Sequence, residues 1–303
     1  MKKYVFSLLF IAKKKNLVTL KPKLIPTPIL MNMEKIACMR HFFVIADAFY
    51  FPQNAYQCAL EFAQGFEKNL SFMVVLNSTN QSDIESMEAS WQAKINDLQL
   101  TTSVPLSMYV VNTQIPEFIV MTERTETPML FFEIAKKTLF NNPNQLFKEL
   151  KELRIPFVFT KNNQVLKPKL SNILVPIGFL SEEKEKAPYS CNMGRYLGSE
   201  IIIYQAKDYG SKTPKNVESV KKLYDQFSLS YSVVQANSDS FGVEKEAAKV
   251  AEKLGVGMIL VSTSRDYGLD DLLFGSKELH SFKHASCPVM FINPRPDLYV
   301  LCW

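Results

Sequence analysis

The sequence predicts an α/β fold made of two doubly wound parallel sheets, each with five strands. Short, almost continuously apolar segments such as 41–47 alternate with segments such as 54–69, whose apolar residues recur at helical spacing. Strands that are apolar on both faces are typical of parallel sheets covered by helices on both sides. The alternation runs through the chain twice, which indicates two copies of one unit.

The first copy spans residues 39–161. Its predicted strands are 41–47, 70–76, 106–111, 128–132 and 155–160, and its predicted helices are 54–69, 84–98 and 142–153, with a short segment at 115–123. Crossovers between parallel strands are right-handed, so five such strands form a doubly wound sheet. Ligands bind these sheets at the carboxyl ends of the strands, where the strand order reverses. The loops after the first and fourth strands are therefore the candidate sites.

The second copy spans residues 172–294 and follows a polar linker at 162–171, which contains Pro168 as linkers often do. Its predicted strands are 172–178, 200–206, 230–236, 257–262 and 287–293, and its predicted helices are 181–198, 214–226, 244–255 and 275–284. The two copies align at a shift of about 130 residues, which indicates domain duplication.

The net charge of +5 comes from an N-terminal extension, residues 1–38. Seven lysines precede the first acidic residue, Glu34, and without them the chain has 28 basic and 30 acidic residues. The domains therefore lack the basic surface of nucleic-acid-binding proteins. The apolar run at 4–12 is too short to span a bilayer, and the lysines directly after it are unlike a signal peptide. We expect a cytoplasmic protein with no membrane or nucleic-acid partner, translated from one of the three methionines before the first strand.

The cysteines and histidines form no metal-binding or catalytic pattern. The five cysteines are an odd number without a C-x-x-C pair, which favours free thiols in a reducing compartment. His280 and His284 are four residues apart, but no H-E-x-x-H motif or third ligand accompanies them. G-x-S-x-G, Walker and G-x-G-x-x-G motifs are also missing. We therefore expect a protein that is not an enzyme and has no catalytic residue and no metal.

Four segments of the second copy occur in a characteristic order: ILVPIG at 173–178, RYLGSEI at 195–201, G-L-x-x-L-L-x-G-S at 268–276 and HASCPV at 284–289. In this order they resemble the universal stress protein family. The first copy resembles that family only in topology. The resemblance implies strand order 3-2-1-4-5, association through the last strand and a role in stress tolerance. It also implies that ATP is a possible ligand, since some members bind it and others do not.

The resemblance indicates where a nucleotide would bind: Pro176, Gly178, Ser262, Ser264, Arg265, Gly275 and Ser276. Nucleotide-binding relatives have an aspartate at the position of Gly178 and glycines at the positions of Ser262 and Arg265. Backbone N–H groups hold phosphate oxygens best where no Cβ hinders the approach. A side chain at 265 would also strain a left-handed backbone. The sequence therefore predicts a degenerate site.

Two interpretations of this loop remain open. In one, Arg265 binds phosphate through its guanidinium, and Ser264 and Ser276 add donors at a helix N-terminus, although three aspartates between 266 and 271 repel it. In the other, Gly275 and Ser276 only begin the last helix. ATP or another adenine nucleotide is thus a possible cofactor, and no cofactor is the favoured interpretation.

The first strand of the first copy ends in a carboxylate, Asp47, whereas the corresponding residue of the second copy is Gly178. Residues 1–177 contain only one glycine, Gly65, which lies inside a predicted helix. A Gly-rich phosphate loop is therefore excluded in this copy. We interpret Asp47 as a cap of a turn or helix.

The closing strands 155–160 and 287–293 are expected to pair, because pairing hides the free N–H and C=O groups of an edge strand. They join the two copies as an internal pseudo-dimer, and a homodimer through the last strands is also possible. An apolar tail, 295–303, would invite association if it were exposed. We predict that it packs on the other copy or on a second chain, so truncation after Pro294 lowers stability or changes the oligomeric state.

The preferred function is that of a non-catalytic universal-stress-like protein that acts in the stress response by binding or regulation. One alternative is a nucleotide-binding stress protein with weak ATPase or nucleotidyl transfer activity. Another is a structural interaction module with a protein partner that the sequence does not identify.

Overall fold

The structure is a computed structural model that describes residues 40–76, 81–112, 122, 125–136, 138–167, 169–263 and 277–295. In the first copy the strands are β1 (Phe42–Asp47), β2 (Leu70–Leu76), β3 (Leu106–Asn112), β4 (Leu130–Ile134) and β5 (Phe157–Lys161), and the helices are α1 (Gln53–Gly65), α2 (Gln81–Gln99) and α3 (Pro143–Leu150). In the second copy the strands are β6 (Asn172–Ile177), β7 (Glu200–Gln205), β8 (Tyr231–Gln235), β9 (Met258–Ser262) and β10 (Val289–Ile292), and the helices are α4 (Lys186–Leu197), α5 (Lys212–Gln226), α6 (Val243–Val250) and α7 (Lys277–His284).

Several helices begin or end at other residues than predicted, and two of them show the physical reason. The helix predicted at 181–198 begins as a 3₁₀ turn, Ser181–Glu185, and becomes α-helical at Lys186. Pro188 has no N–H to donate to the preceding turn, which explains why the α-helix starts only two residues before it. The helix predicted at 244–255 ends at Val250, and the turns that follow it lead to Gly255, whose φ is +71°.

All ten strands lie in one continuous sheet, in the order β3-β2-β1-β4-β5-β10-β9-β6-β7-β8. Within each copy every neighbouring pair is parallel, and the order 3-2-1-4-5 occurs twice, as predicted. The copies are joined by one antiparallel pair, β5 with β10. The predicted pairing of the closing strands is confirmed, and it makes the two five-stranded units halves of one sheet.

The antiparallel junction is packed with aromatic side chains. Phe157 lies opposite Phe291 in the register, with 5.5 Å between the ring centroids, and Phe159 lies 5.3 Å from Phe291. Phe147 of α3 covers Phe291 at 4.8 Å. Since β5 and β10 pair with each other inside one chain, neither is an open edge. A homodimer through the last strands, which the sequence left possible, would have to break this pair.

Apolar side chains fill both faces of the sheet. Phe42 and Val44 point to one face and pack with Phe62 of α1, while Phe43 and Ile45 point to the other. All are at most 1% exposed. Successive residues of a strand point to opposite faces, so an uninterrupted apolar strand needs helices on both sides.

The two copies also meet through α1 and α4. Gly65 ends α1, and a Cβ at this position would lie 2.8 Å from the carbonyl oxygen of Tyr196 and 2.3 Å from Cδ2 of Leu197. Phe66 packs on the ring of Tyr196 at 4.8 Å. Gly65 therefore terminates a helix where the backbones of the two copies approach closely, rather than lying in the helix interior as predicted.

Several predictions fall on residues outside the described ranges: the extension 1–38, most of the segment 115–123, and the tail beyond Arg295. Of the described cysteines, Cys58, Cys191 and Cys287 are free and buried. Within the described residues, no helix combines the length and the apolar character that crossing a membrane requires.

Candidate functional site

The candidate site of the second copy lies at the carboxyl ends of β6 and β9, which are adjacent in the sheet. Gly178 directly follows β6, and Ser262 is the last residue of β9. Pro176 lies within β6, where it is buried in register with Tyr204. The structure thus brings these predicted site residues to one edge of the sheet. The remaining four (Ser264, Arg265, Gly275 and Ser276) lie outside the described residues.

A carboxylate of the chain binds the backbone at the end of β9. The N–H of Ser262 donates to Oε1 of Glu244, the second residue of α6, at 3.0 Å. Glu244 is buried, and Ser262 is 1% exposed. Backbone N–H groups at such strand ends are the usual donors to a bound anion. Here the donor is already satisfied from inside the protein.

Two lysines neutralise Glu244. Nζ of Lys186 lies 3.1 Å from Oε1 of Glu244 and also binds the Glu183 carboxylate, and Nζ of Lys277 lies 3.3 Å from Oε2 of Glu244. Lys186 is completely buried, which is tolerated only for a charge with close partners. We call Glu183, Lys186, Glu244 and Lys277 the buried ion network.

The ionisation of the network follows from burial and from these contacts. Burial raises the pKa of Glu183. Burial opposes the charge of Glu244 too, but Lys277 and Lys186 hold the pKa of that carboxyl below its usual range. Burial also disfavours the charge of Lys277, yet Glu244 and Glu183 raise the pKa of its ammonium. Glu244 is therefore the firmly ionised centre to which both ammonium groups bind.

At the end of β6, Ser240 occupies the space that a side chain at 178 would need. A Cβ at Gly178 would lie 2.4 Å from Oγ of Ser240. This hydroxyl accepts the N–H of Phe179 at 2.8 Å and donates to the Asp208 carboxylate, which also accepts the N–H of Ser240 at 3.0 Å. An aspartate or any other side chain at 178 has no room here.

The first copy closes its strand ends in a similar way. Oδ1 of Asp47 accepts the N–H of Phe49 at 2.8 Å, and Oδ2 accepts the N–H of Leu139 at 2.9 Å. These bonds confirm the capping interpretation. Near the end of β4, the buried Glu133 accepts the N–H groups of Asn54 and Ala55 at the start of α1, at 2.6 and 3.2 Å.

A cavity of about 520 Å³ remains beside Asp47 and is also lined by Asp83, so its charge does not suit a phosphate.

Comparison with known proteins adds to this geometry. No family model and no curated protein sequence matches the chain. A universal stress protein from Archaeoglobus fulgidus has a similar structure, with a TM-score of 0.63 and 13% identity over 86% of this chain and 99% of that one. The chain has the universal stress protein fold.

Two Pseudomonas aeruginosa structures have this fold as well. A protein of unknown function matches with a TM-score of 0.59 and 12% identity over 88% of this chain and 97% of that one. A protein assigned to the universal stress proteins matches with a TM-score of 0.59 and 13% identity over 88% and 98%. These identities establish the fold and not a ligand.

Sequence reasoning missed two buried carboxylates near the strand ends, Glu133 and Glu244. Glu133 and Glu244 come from different elements in the two copies, yet each satisfies backbone N–H groups close to the end of a fourth strand. The sequence shows Glu244 only as an acidic residue near the start of a helix, where acids are common. No local motif marks it.

Proposed function

We propose that this protein is a non-catalytic universal-stress-type protein in which the chain's own side chains replace the nucleotide, and that it acts in the cytoplasm in the stress response by binding or regulation. One observation carries the proposal: the N–H of Ser262 donates to the buried carboxylate of Glu244, which Lys186 and Lys277 neutralise. A phosphate at this strand end would have to displace a carboxylate that already has three partners.

The charge balance supports the same conclusion. Glu183 and Glu244 offset Lys186 and Lys277, so the buried ion network presents no excess positive charge to an anion. Removing one partner from a buried ion pair leaves an uncompensated charge, which costs about 3–5 kcal/mol. A phosphate must recover this cost before it binds.

The described histidines lie outside the buried ion network. His41 contacts the hydroxyl of Ser71 at 2.7 Å and the amide of Asn69 at 3.1 Å, at the amino end of β1 and away from the candidate site. His280 and His284 lie on α7, where no cluster of three possible metal ligands occurs among the described residues. A general base would have to come from another residue type.

Thermal unfolding with ATP, AMP and cyclic AMP, each with and without Mg²⁺, tests the proposal. We expect the Tm to stay within about 1 °C of the free protein, whereas a ligand at about 100 times its Kd would raise it by several degrees. The matched variant is Glu244→Gln, which frees Lys186 and Lys277 for an anion. We expect this variant to gain a phosphate-dependent shift. A clear shift of the unmodified protein would overturn the proposal.

Adenine nucleotide binding with weak hydrolysis or transfer is the second candidate function. The observation in its favour is that Lys277 begins α7 and is only partly buried, so its ammonium lies where a helix N-terminus could also help to hold a phosphate. If this candidate is right, ATP raises the Tm of the unmodified protein and Lys277→Met abolishes the effect. A purely structural interaction module instead predicts no ligand shift and a protein that co-purifies.

A further inference from the structure

An exposed apolar patch lies beside the candidate site of the second copy. It consists of Phe179, Leu180, Tyr209 and Phe241. Tyr209 is fully exposed and Phe241 is 84% exposed, and the rings of Phe179 and Phe241 stack edge to face at 5.6 Å. Exposed apolar side chains grouped on neighbouring loops in this way mark a site of interaction.

Hydrogen bonds hold the three loops of this apolar patch together. Ser240 accepts the N–H of Phe179 and donates to Asp208, so the loops after β6, β7 and β8 are tied at one point. Tyr209 directly follows Asp208 in the chain, and Phe241 directly follows Ser240. A second contact, from Nδ2 of Asn216 to the carbonyl of Leu180 at 2.9 Å, fixes the loop after β6 from the side of α5. The apolar patch is therefore preformed.

The last described residue, Arg295, lies close to this apolar patch. The backbone N–H of Arg295 donates to both carboxylate oxygens of Glu185, at 2.9 and 3.1 Å. Glu185 closes the 3₁₀ turn that Leu180 precedes. At about 2 Å of rise per residue, the two ends of this turn are about 10 Å apart. The tail thus starts from an anchored point close to the apolar patch.

The remaining tail has the composition and the length to cover the patch. The segment that follows Arg295 is PDLYVLCW, with five large apolar residues and one charge, Asp297. Eight extended residues reach about 27 Å, well beyond the separation from the patch. Covering exposed aromatic rings with Leu, Tyr, Val and Trp removes apolar surface of both partners from water.

We propose that the C-terminal segment 296–303 docks in cis on the apolar patch formed by Phe179, Leu180, Tyr209 and Phe241. The Arg295–Glu185 contact sets the starting point of this segment. This proposal replaces the earlier expectation that the tail packs on the other copy or on a second chain, because the apolar patch belongs to the copy that carries the tail. The inference rests on the patch and the anchor and does not depend on nucleotide binding.

Alkylation of Cys302 in the native full chain tests this inference. Brief treatment with iodoacetamide, followed by unfolding and a heavier reagent, gives the reacted fraction of each cysteine by peptide mass spectrometry. Cys58, Cys191 and Cys287 are buried and serve as internal standards. We expect Cys302 to react about tenfold more slowly in the unmodified protein than in a Tyr209→Ser/Phe241→Ser variant, because labelling follows the undocked population.

Leu100→Ser is the matched control. Leu100 is 87% exposed and follows α2 in the first copy, so its substitution should leave the reactivity of Cys302 unchanged. The substituted side chains are all exposed, and circular dichroism checks that the variants are folded. Docking in cis also predicts that protection does not change when the protein is diluted.

Three results would overturn the inference. The first is equal reactivity of Cys302 in the unmodified protein and in the patch variant. The second is loss of protection on dilution, which would identify a second copy as the site of docking. The third is an equal gain of reactivity in Leu100→Ser, which would mean that protection is not specific to the apolar patch.

Discussion

The backbone N–H of Ser262 and the ammonium of Lys186 bind the same oxygen of Glu244, at 3.0 and 3.1 Å. Ser262 and Glu244 thereby close the end of β9 from inside the protein. In the first copy Glu133, on β4, accepts the N–H groups of Asn54 and Ala55 at the start of α1, so each half of the sheet has a buried carboxylate near the end of its fourth strand. Open parallel α/β sheets bind ligands at the carboxyl ends of their strands, and this chain places its own carboxylates near these ends.

Lys186→Met should be strongly destabilising. Lys186 is fully buried between Glu183 and Glu244, and its loss leaves Glu183 without this ion pair and Glu244 with only the Lys277 ammonium. We expect the free energy of unfolding to fall by about 3–5 kcal/mol, measured by urea titration at neutral pH.

The double variant Lys186→Met/Glu244→Gln separates charge from packing. Because it removes the partner charge as well, it should lose less than the sum of the two single variants. The control is Lys221→Met, which breaks the exposed pair with Glu218 and should leave the urea midpoint unchanged. Strict additivity of the two buried substitutions would contradict a coupled network.

The fold could be predicted from the sequence because its signals are local. An uninterrupted apolar strand such as β4 is recognisable without its neighbours, and the helices follow from their spacing. The direction of the β5–β10 pair is not a local property, since any two apolar strands can pair in either sense. For that reason the pairing of β5 with β10 is predicted from the sequence, whereas its antiparallel direction is known only from the structure.

The sequence predicts at which strand ends the candidate site lies, but it does not predict which side chains fill that site. Pro176, Gly178 and Ser262 are placed by the strand ends, which the sequence shows. Lys186 and Glu244 are 58 residues apart, and each lies in a charged segment that would be assigned to the surface on composition alone. Burial of such residues depends on a partner that is distant in the sequence, so no pattern along the chain identifies them.

Gly178→Ala should destabilise the protein through Ser240. The new Cβ would lie 2.4 Å from Oγ of Ser240 and 3.3 Å from its Cα, so the loop after β8 must move. Overpacking of this kind costs about 1–3 kcal/mol. Chemical unfolding of Gly178→Ala, Ser240→Gly and the double variant measures the coupling. We expect Ser240→Gly to remove most of the penalty of Gly178→Ala, and independent effects would mean that the loop relaxes without contact.

Glu246 should contribute stability that depends on pH. Burial opposes its charge, but hydrogen bonds from Ser238, Asn237 and Tyr204 lower the pKa of this carboxyl from 4.5 to about 2. The folded protein therefore binds the proton less tightly than the unfolded chain. The stabilisation is present above pH 4.5 and is lost as the pH falls towards 2.

The test compares Glu246→Gln with the unmodified protein across this range of pH. The difference in free energy of unfolding should be largest at neutral pH and should shrink between pH 4.5 and pH 2. The control is Glu200→Gln, which removes a carboxylate at an exposed position at the start of β7. A difference that stays constant with pH would assign the effect of Glu246 to geometry rather than to charge.

The aromatic junction between the copies should contribute more stability than any exposed ring. Phe291 is fully buried and contacts Phe147, Phe157 and Phe159, so Phe291→Ala removes packing on both sides of the β5–β10 pair. We expect it to lower the free energy of unfolding by about 3–5 kcal/mol. Phe49→Ala is the matched control, since Phe49 is 84% exposed and should change stability by no more than about 0.5 kcal/mol.

If the two copies unfold independently, Phe291→Ala will split the urea transition into two steps, and a single cooperative step at a lower midpoint would show that the ten strands unfold as one unit.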